Sequence, residues 1–242
     1  MVDVRTPITA EDTVLVWANK LGEGYSGSAV GSPIIVGGYL YTYSGTTIMK
    51  VDKETGLIVK TGTMVGGSSF AINCATYAEG MIFIGLANGR VQAFNAETLE
   101  SLWVYRDALG GQPNCPIAYA DGYIYTGFWN QETKQANFAC LSVTDEDATK
   151  TNEAKLPTWT YTHNGFYWAG AYVNSDFVLV TTDDGAEGYV TGRGSILSLN
   201  PRPASSSTAC RLPTWVTSAA ASATMRRPRP ITSPPRAATC IR

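Results

Sequence analysis

The chain has 242 residues, 44% of them hydrophobic and 11% aromatic, with 24 glycines, 12 prolines and a formal net charge of −2 at pH 7. No apolar run approaches the roughly 18 residues of a membrane-spanning helix, and no basic stripe suits nucleic acid. A single all-β unit accommodates this length.

Residues 1–12 read as a linker. Met1-Val2-Asp3-Val4-Arg5-Thr6-Pro7 lacks the charged-then-apolar pattern of a signal peptide and is compatible with an internal start in a longer chain. Val14-Leu15-Val16-Trp17 then predicts an outermost strand that carries a tryptophan. From there the sequence repeats. Gly38 opens Gly-Tyr-Leu-Tyr-Thr, Gly80 opens Gly-Met-Ile-Phe-Ile and Gly122 opens Gly-Tyr-Ile-Tyr-Thr, evenly 42 residues apart. A looser copy starts at Asp176, after an insertion has stretched the interval to 54. Such a period marks stacked units, none able to bury its apolar face alone.

The second copy displays the unit in full. An apolar stretch through Ile72 and Tyr77 ends at Ala78-Glu79-Gly80, and Met81 to Ile84 follows. The turn Ala87-Asn88-Gly89 comes next, with Asn-Gly tolerating the positive φ of a tight hairpin. Val91 to Phe94 alternates, and Leu102 to Tyr105 completes the set. The first copy predicts Tyr39 to Tyr43, Ile48 to Val51 and Leu57 to Val59 as strands. Nothing recurs at helical spacing over ten residues. The predicted fold is all-β, a β-propeller array of four-stranded antiparallel blades, with about four blades visible over residues 13–201.

The blade subtype rests on Ala93-Phe94-Asn95-Ala96-Glu97-Thr98-Leu99-Glu100-Ser101-Leu102-Trp103. This segment resembles the tryptophan-docking motif of quinoprotein-like (PQQ-like) propellers, Ala-x-Asp-x-x-Thr-Gly-x-x-x-Trp. Asp52-Lys53-Glu54-Thr55-Gly56 offers the same turn, with Lys60 where the motif wants Trp. The resemblance implies blade-docking roles for Trp17, Trp103 and Trp159. It further implies kinship with repeat regions of bacterial cell-surface and envelope proteins, and hence an extracellular or envelope location. One member of the family is an outer-membrane-assembly scaffold that uses no quinone. The enzymatic branch pairs its cofactor with adjacent cysteines, calcium and an Asp base. No two cysteines here are adjacent, so no cofactor is expected.

Residues 202–242 form a different text, with seven Arg, eight Ala and six each of Pro, Ser and Thr, and without Gly, Asp, Glu, Lys, Phe or Tyr. Without them the body holds eleven basic against twenty acidic residues, a net of −9. Composition alone predicts a disordered basic tail. A shifted reading frame accounts for more. Arg202 to Ser207 permits Thr-Gly-Lys-Leu-Ile-Asp, and the codons of Ile231 to Ile241 permit a segment containing Gly-Gly-Tyr-Leu, the string at Gly37 to Leu40. The tail is therefore read as the frameshifted remainder of the last blade.

Candidate sites are few. His163 is the only histidine, so no His-based metal cluster can form. With Phe128, Trp129, Phe166 and Trp168 it makes an aromatic set that could stack on a sugar or peptide, against the alternative that each ring fills the wedge between blades. Asp183, Asp184 and Glu187 offer calcium-type oxygens without the Asp-x-Asp-x-Asp-Gly spacing, and a solvated turn explains them better. Cys74, Cys115 and Cys140 give neither a zinc spacing nor a disulfide framework and read as small buried apolar residues. The functional expectation is a non-catalytic binding or scaffold module, with a protein or carbohydrate ligand and with further blades in a longer chain. The alternatives are a fragment of a PQQ-dependent dehydrogenase and a carbohydrate-binding propeller.

Overall fold

The computed structural model describes residues 15–22, 30–68, 73–131, 134–166, 168–183 and 194–201, all within one compact unit, Met1–Leu212. A second unit, Pro213–Arg242, lies outside the described residues, as does all of 202–242.

Four sheets follow one another along the chain. The first runs β1 (Ile34–Val36), β2 (Tyr39–Ser44), β3 (Thr47–Asp52), β4 (Ile58–Thr63), and the second β5 (Thr76–Ala78), β6 (Met81–Leu86), β7 (Arg90–Asn95), β8 (Ser101–Arg106). The third is built from β9 (Ala118–Ala120), β10 (Tyr123–Gly127), β11 (Gln135–Ser142) and β13 (Trp159–Asn164). The fourth shows three strands among the described residues, β14 (Tyr172–Val173), β15 (Val178–Asp183) and β16 (Gly194–Leu199). The strands named so far form an antiparallel meander in each sheet, and no helix occurs among the described residues. The repeated glycines mark the first hairpin of each of the first three sheets, as the period predicts.

Period-2 alternation buries both faces of the middle sheets. On one face of the second sheet Ile82, Ile84, Leu86 and Phe94 pack against Tyr41, Tyr43 and Ile48 of the first. On the other, Phe83, Val91, Ala93, Trp103 and Tyr105 pack against Ile124, Tyr125, Phe138 and Leu141 of the third. Val178 and Val180 of the fourth sheet join that second cluster. The short first strands neighbour each other in order, β1 with β5, β5 with β9 and β9 with β14, and so line the inner side of the array. This is blade stacking, in which every sheet lends an apolar face to each neighbour.

Two expectations need correction, and one element goes beyond them. Leu15 to Trp17 form no strand, and Leu15 and Val16 are 82% and 74% exposed. With both apolar side chains in solvent, Trp17 and Asn19 tie this part of the chain to the first blade, at Lys53 O and Gly56 O. The insertion that stretches the interval to 54 contains β12 (Glu153–Lys155), which adds to β8 as a parallel fifth strand and covers that edge. Cys115 and Cys140 are buried, but Cys74 is exposed, and all three are free thiols.

Candidate functional site

The two ends of each blade differ in what they display. One end carries the turns between first and second strands and between third and fourth. The other carries the turn between second and third strands and the connections from blade to blade.

At the first end a short side chain closes the last turn of the blade. Asp52 Oδ1 accepts from Glu54 N at 3.1 Å, Thr55 N at 2.8 Å and Thr55 Oγ1 at 2.8 Å. Those hydrogen bonds from Thr55, with smaller help from Glu54 and Lys53, hold its carboxyl below the usual carboxylate range. Asn95 Oδ1 does the same for Glu97 N and Thr98 N, and Ser142 Oγ accepts from Thr144 N. The residue after each of these caps has both backbone groups engaged. Lys53, Ala96 and Val143 donate their N–H to the carbonyls of Gly38, Gly80 and Gly122, the repeating glycines.

Their carbonyls then receive the neighbouring blade. Trp103 Nε1 donates to Val143 O at 3.4 Å, Trp159 Nε1 to Pro201 O at 3.1 Å and Trp17 Nε1 to Lys53 O at 2.9 Å. The Trp17 ring occupies the space where a Cβ on Gly56 would sit, and Gly56 adopts a φ of +72°. Where Lys60 replaces the motif tryptophan, a different residue reaches the same atom: Tyr41 Oη donates to Ala96 O at 2.9 Å. One carbonyl per blade junction is thus met by an indole at two junctions and by a phenol at the third, while Trp17 docks the N-terminal segment on blade one in the same way.

The other end holds a cavity of about 260 Å³ lined by Asn88, Gly111, Gln112, Trp129, Asn130, Gln131 and Lys134. Asn88 sits in the hairpin between β6 and β7 at a φ of +61°, and Gln112 and Trp129 exchange backbone hydrogen bonds at 2.8 and 3.0 Å. Asn130 Nδ2 donates to Leu109 O and to Gln135 O, which fixes the loop that carries it. The lining is one indole, four primary amides and one ammonium.

The five aromatic candidates separate. Phe128 and Phe166 are fully buried; Phe128 stacks on Tyr105 and Phe166 tilts against Phe138, so both fill the blade wedge and neither offers a ligand platform. Trp129 lines the cavity. His163 stacks on Tyr161, and its Nδ1 lies 3.3 Å from the Asn164 carbonyl. Trp168 is 60% exposed at a φ of +64° and lies outside the cavity lining. Asp184 and Glu187 fall outside the described residues, and of Asp183 only the backbone, at the end of β15, is described. Among the described residues no group of His, Cys, Asp and Glu could hold a metal.

The buried reactive groups are committed to the fold. Burial pushes the Cys115 and Cys140 thiols up to about 12, so neither is a thiolate near neutrality. Asp107 accepts from Tyr105 Oη at 2.6 Å, from Asn137 Nδ2 and from Leu109 N. Lys155 donates to Thr144 O and Glu146 and lies over the Trp103 ring. Sequence reasoning missed the amides of Asn88, Gln112, Asn130 and Gln131. Their signal is that four amides fall in loops that the repeat places at one end.

No protein-family model matches the chain, and no curated protein matches it in sequence. Solved structures do. BamB from Moraxella catarrhalis superposes over 71% of this chain and 45% of its own, at 17% identity and a TM-score of 0.50. Quinohemoprotein alcohol dehydrogenase from Comamonas testosteroni covers 72% of this chain and 33% of its own, at 14% identity and a TM-score of 0.52. The chain spans less than half the length of either. At such identities the likeness establishes architecture and leaves activity open. With its four consecutive sheets and its cap-and-indole junctions, this chain has the quinoprotein-like (PQQ-like) β-propeller fold.

Proposed function

We propose that the chain is a non-catalytic binding or scaffold module of a bacterial cell-surface or envelope protein, and that the loop end of blades two and three receives its protein or carbohydrate partner. The observation that carries this reading is the cavity in which Asn88, Gln112, Asn130 and Gln131 surround Trp129. An indole with amides around it supplies a flat apolar surface and neutral donors and acceptors, the equipment of recognition rather than of proton transfer. The groups that could do chemistry elsewhere support the same reading, since Cys115 and Cys140 are held as thiols and Asp107 and Lys155 as structural partners. The envelope location rests on the resemblance of the blade motif.

The test is site-specific photocrosslinking in intact bacteria that carry the native envelope. A benzophenone side chain at Lys134, on the cavity, is expected to give a discrete adduct. The same group at Ile58, on the edge of blade one, is expected to give none. Equal labelling at both sites, or none at Lys134, would overturn the reading.

A further inference from the structure

The junction between blades one and two is the one that lacks an indole, and it is not closed over. A cavity of about 210 Å³ remains there, lined by Val36, Gly37, Gly38, Tyr39, Tyr41, Tyr77, Gly80, Ala96 and Glu97. It lies at the end of the blades opposite the amide-lined cavity, so it is independent of the site proposed above.

Its position follows from the repeat. Trp103 stands eight residues after the cap Asn95, and Lys60 stands eight residues after the cap Asp52. Lys60 pairs directly across the strands with Lys50, so both face the same side of the sheet. Lys50 shows which side that is, because its Nζ reaches Glu97 of blade two at 2.7 Å. A tryptophan at position 60 would therefore project toward the Ala96 carbonyl, as Trp103 projects toward Val143 and Trp159 toward Pro201. Tyr41, whose hydroxyl holds that carbonyl, takes part of the indole's place, and the cavity lies beside its ring.

The walls suit an aromatic guest. Tyr39, Tyr41 and Tyr77 supply three rings, and the Gly37, Gly38 and Gly80 backbones supply close approach. Lys50 packs its ammonium 4.3 Å from the Tyr39 ring centre, and burial works against that charge. The hydrogen bond to Glu97, with Tyr41 behind it, outweighs the burial and keeps the Lys50 pKa raised. The Ala96 carbonyl has taken one donor, from Tyr41, and an sp² oxygen accepts two. The volume falls below the ~300–1,000 Å³ of drug-sized sites and is suited to one side chain.

We propose that this slot is a docking site for a tryptophan side chain presented by a partner polypeptide, which adds in trans the indole that this junction lacks in cis. The guest indole stacks among Tyr39, Tyr41 and Tyr77 and donates its N–H to Ala96 O.

The experiment uses the full chain and N-acetyl-5-fluorotryptophanamide, whose fluorine NMR signal reports binding against the protein's own tryptophans. The probe is expected to shift saturably with the wild-type chain, and the matching blocked fluorophenylalanine is expected to bind at least tenfold more weakly. Lys60→Trp fills the slot from within and should weaken the probe at least tenfold while raising Tm. Tyr77→Ala, at a partly exposed ring, should weaken it as well if Lys60→Trp does not fold. Lys134→Ala, in the far cavity, should leave probe binding unchanged. No saturable shift with the wild type at millimolar probe would overturn the proposal. So would equal binding of the phenylalanine analogue, or undiminished binding to folded Lys60→Trp or Tyr77→Ala. A failure here leaves the photocrosslinking outcome at Lys134 untouched.

Discussion

The position after each turn cap concentrates the logic of the fold in single residues. At Lys53, Ala96 and Val143 the N–H belongs to the blade's own glycine turn and the carbonyl belongs to the neighbour. Leu99 shows what the position three further on tolerates. It stands where blade one has Gly56, and it accepts a φ of +55° while being only 2% exposed in the core between blades one and two. Relief of left-handed strain is worth about 1–2 kcal/mol, whereas emptying a buried leucine site costs about 2–5 kcal/mol. Leu99→Gly is therefore expected to destabilise the chain despite restoring the motif residue, by roughly 1–3 kcal/mol in urea unfolding. A gain in stability would show that strain dominates there. Cys115 makes a second prediction at this scale. Burial raises its pKa from 9.0 to about 12, so its stabilising contribution is fully present below pH 9 and is lost as pH rises toward 12. Cys140 behaves alike, and burial raises Tyr43 in the same direction. The urea midpoint should hold steady from pH 7 to 8.5 and fall above pH 9, less steeply in Cys115→Ala. A midpoint that rises above pH 9 would contradict the assignment.

Elements were legible in the sequence wherever alternation and turn chemistry agreed. The glycine period located the first hairpins, and Asn88-Gly89 located the turn between β6 and β7. Strand ends ran one or two residues longer than the apolar stretch, because Arg90 and Asn95 pair through backbone that needs no apolar side chain. Two elements were illegible for physical reasons. β12 is a three-residue strand, Glu-Ala-Lys, whose polar composition hides it, and the Lys155 contacts with Glu146, Thr144 and the Trp103 ring hold it in place. Leu15 to Trp17 read as a strand on hydrophobicity alone, yet only the indole finds a partner. The site was legible in part. Trp129 stood out as an aromatic after a strand, but its amide neighbours come from three separate loops. Tyr41 gave no sign that it would replace a missing tryptophan, since its register against Lys50 appears only on folding. Among the junctions, Trp103 is fully buried and Trp17 is only half-buried. Trp103→Ala should cost about 3–5 kcal/mol and Trp17→Ala distinctly less, as measured by chemical denaturation. Equal losses would mean that Trp17 carries more of the first blade than its contacts suggest.

At the scale of the whole molecule the fourth blade sets the question. It shows three strands among the described residues, and Trp159 docks on Pro201, which places Asn200 and Pro201 at the turn that elsewhere precedes a fourth strand. We propose that residues 202–242 are the frameshifted remainder of that blade. Restoring the frame after Pro201 should give a chain more resistant to limited proteolysis than the present one. Equal resistance, or the absence of an open alternative frame in the DNA, would end that idea. The central claim is that a quinoprotein-like propeller here serves recognition without quinone chemistry. The most direct measurement is a titration of the purified chain with pyrroloquinoline quinone and calcium, followed by quinone absorbance and by dye-linked alcohol oxidation. The account predicts no saturable absorbance change at micromolar quinone and no dye reduction above the protein-free rate; saturable binding accompanied by alcohol-dependent dye reduction would contradict it.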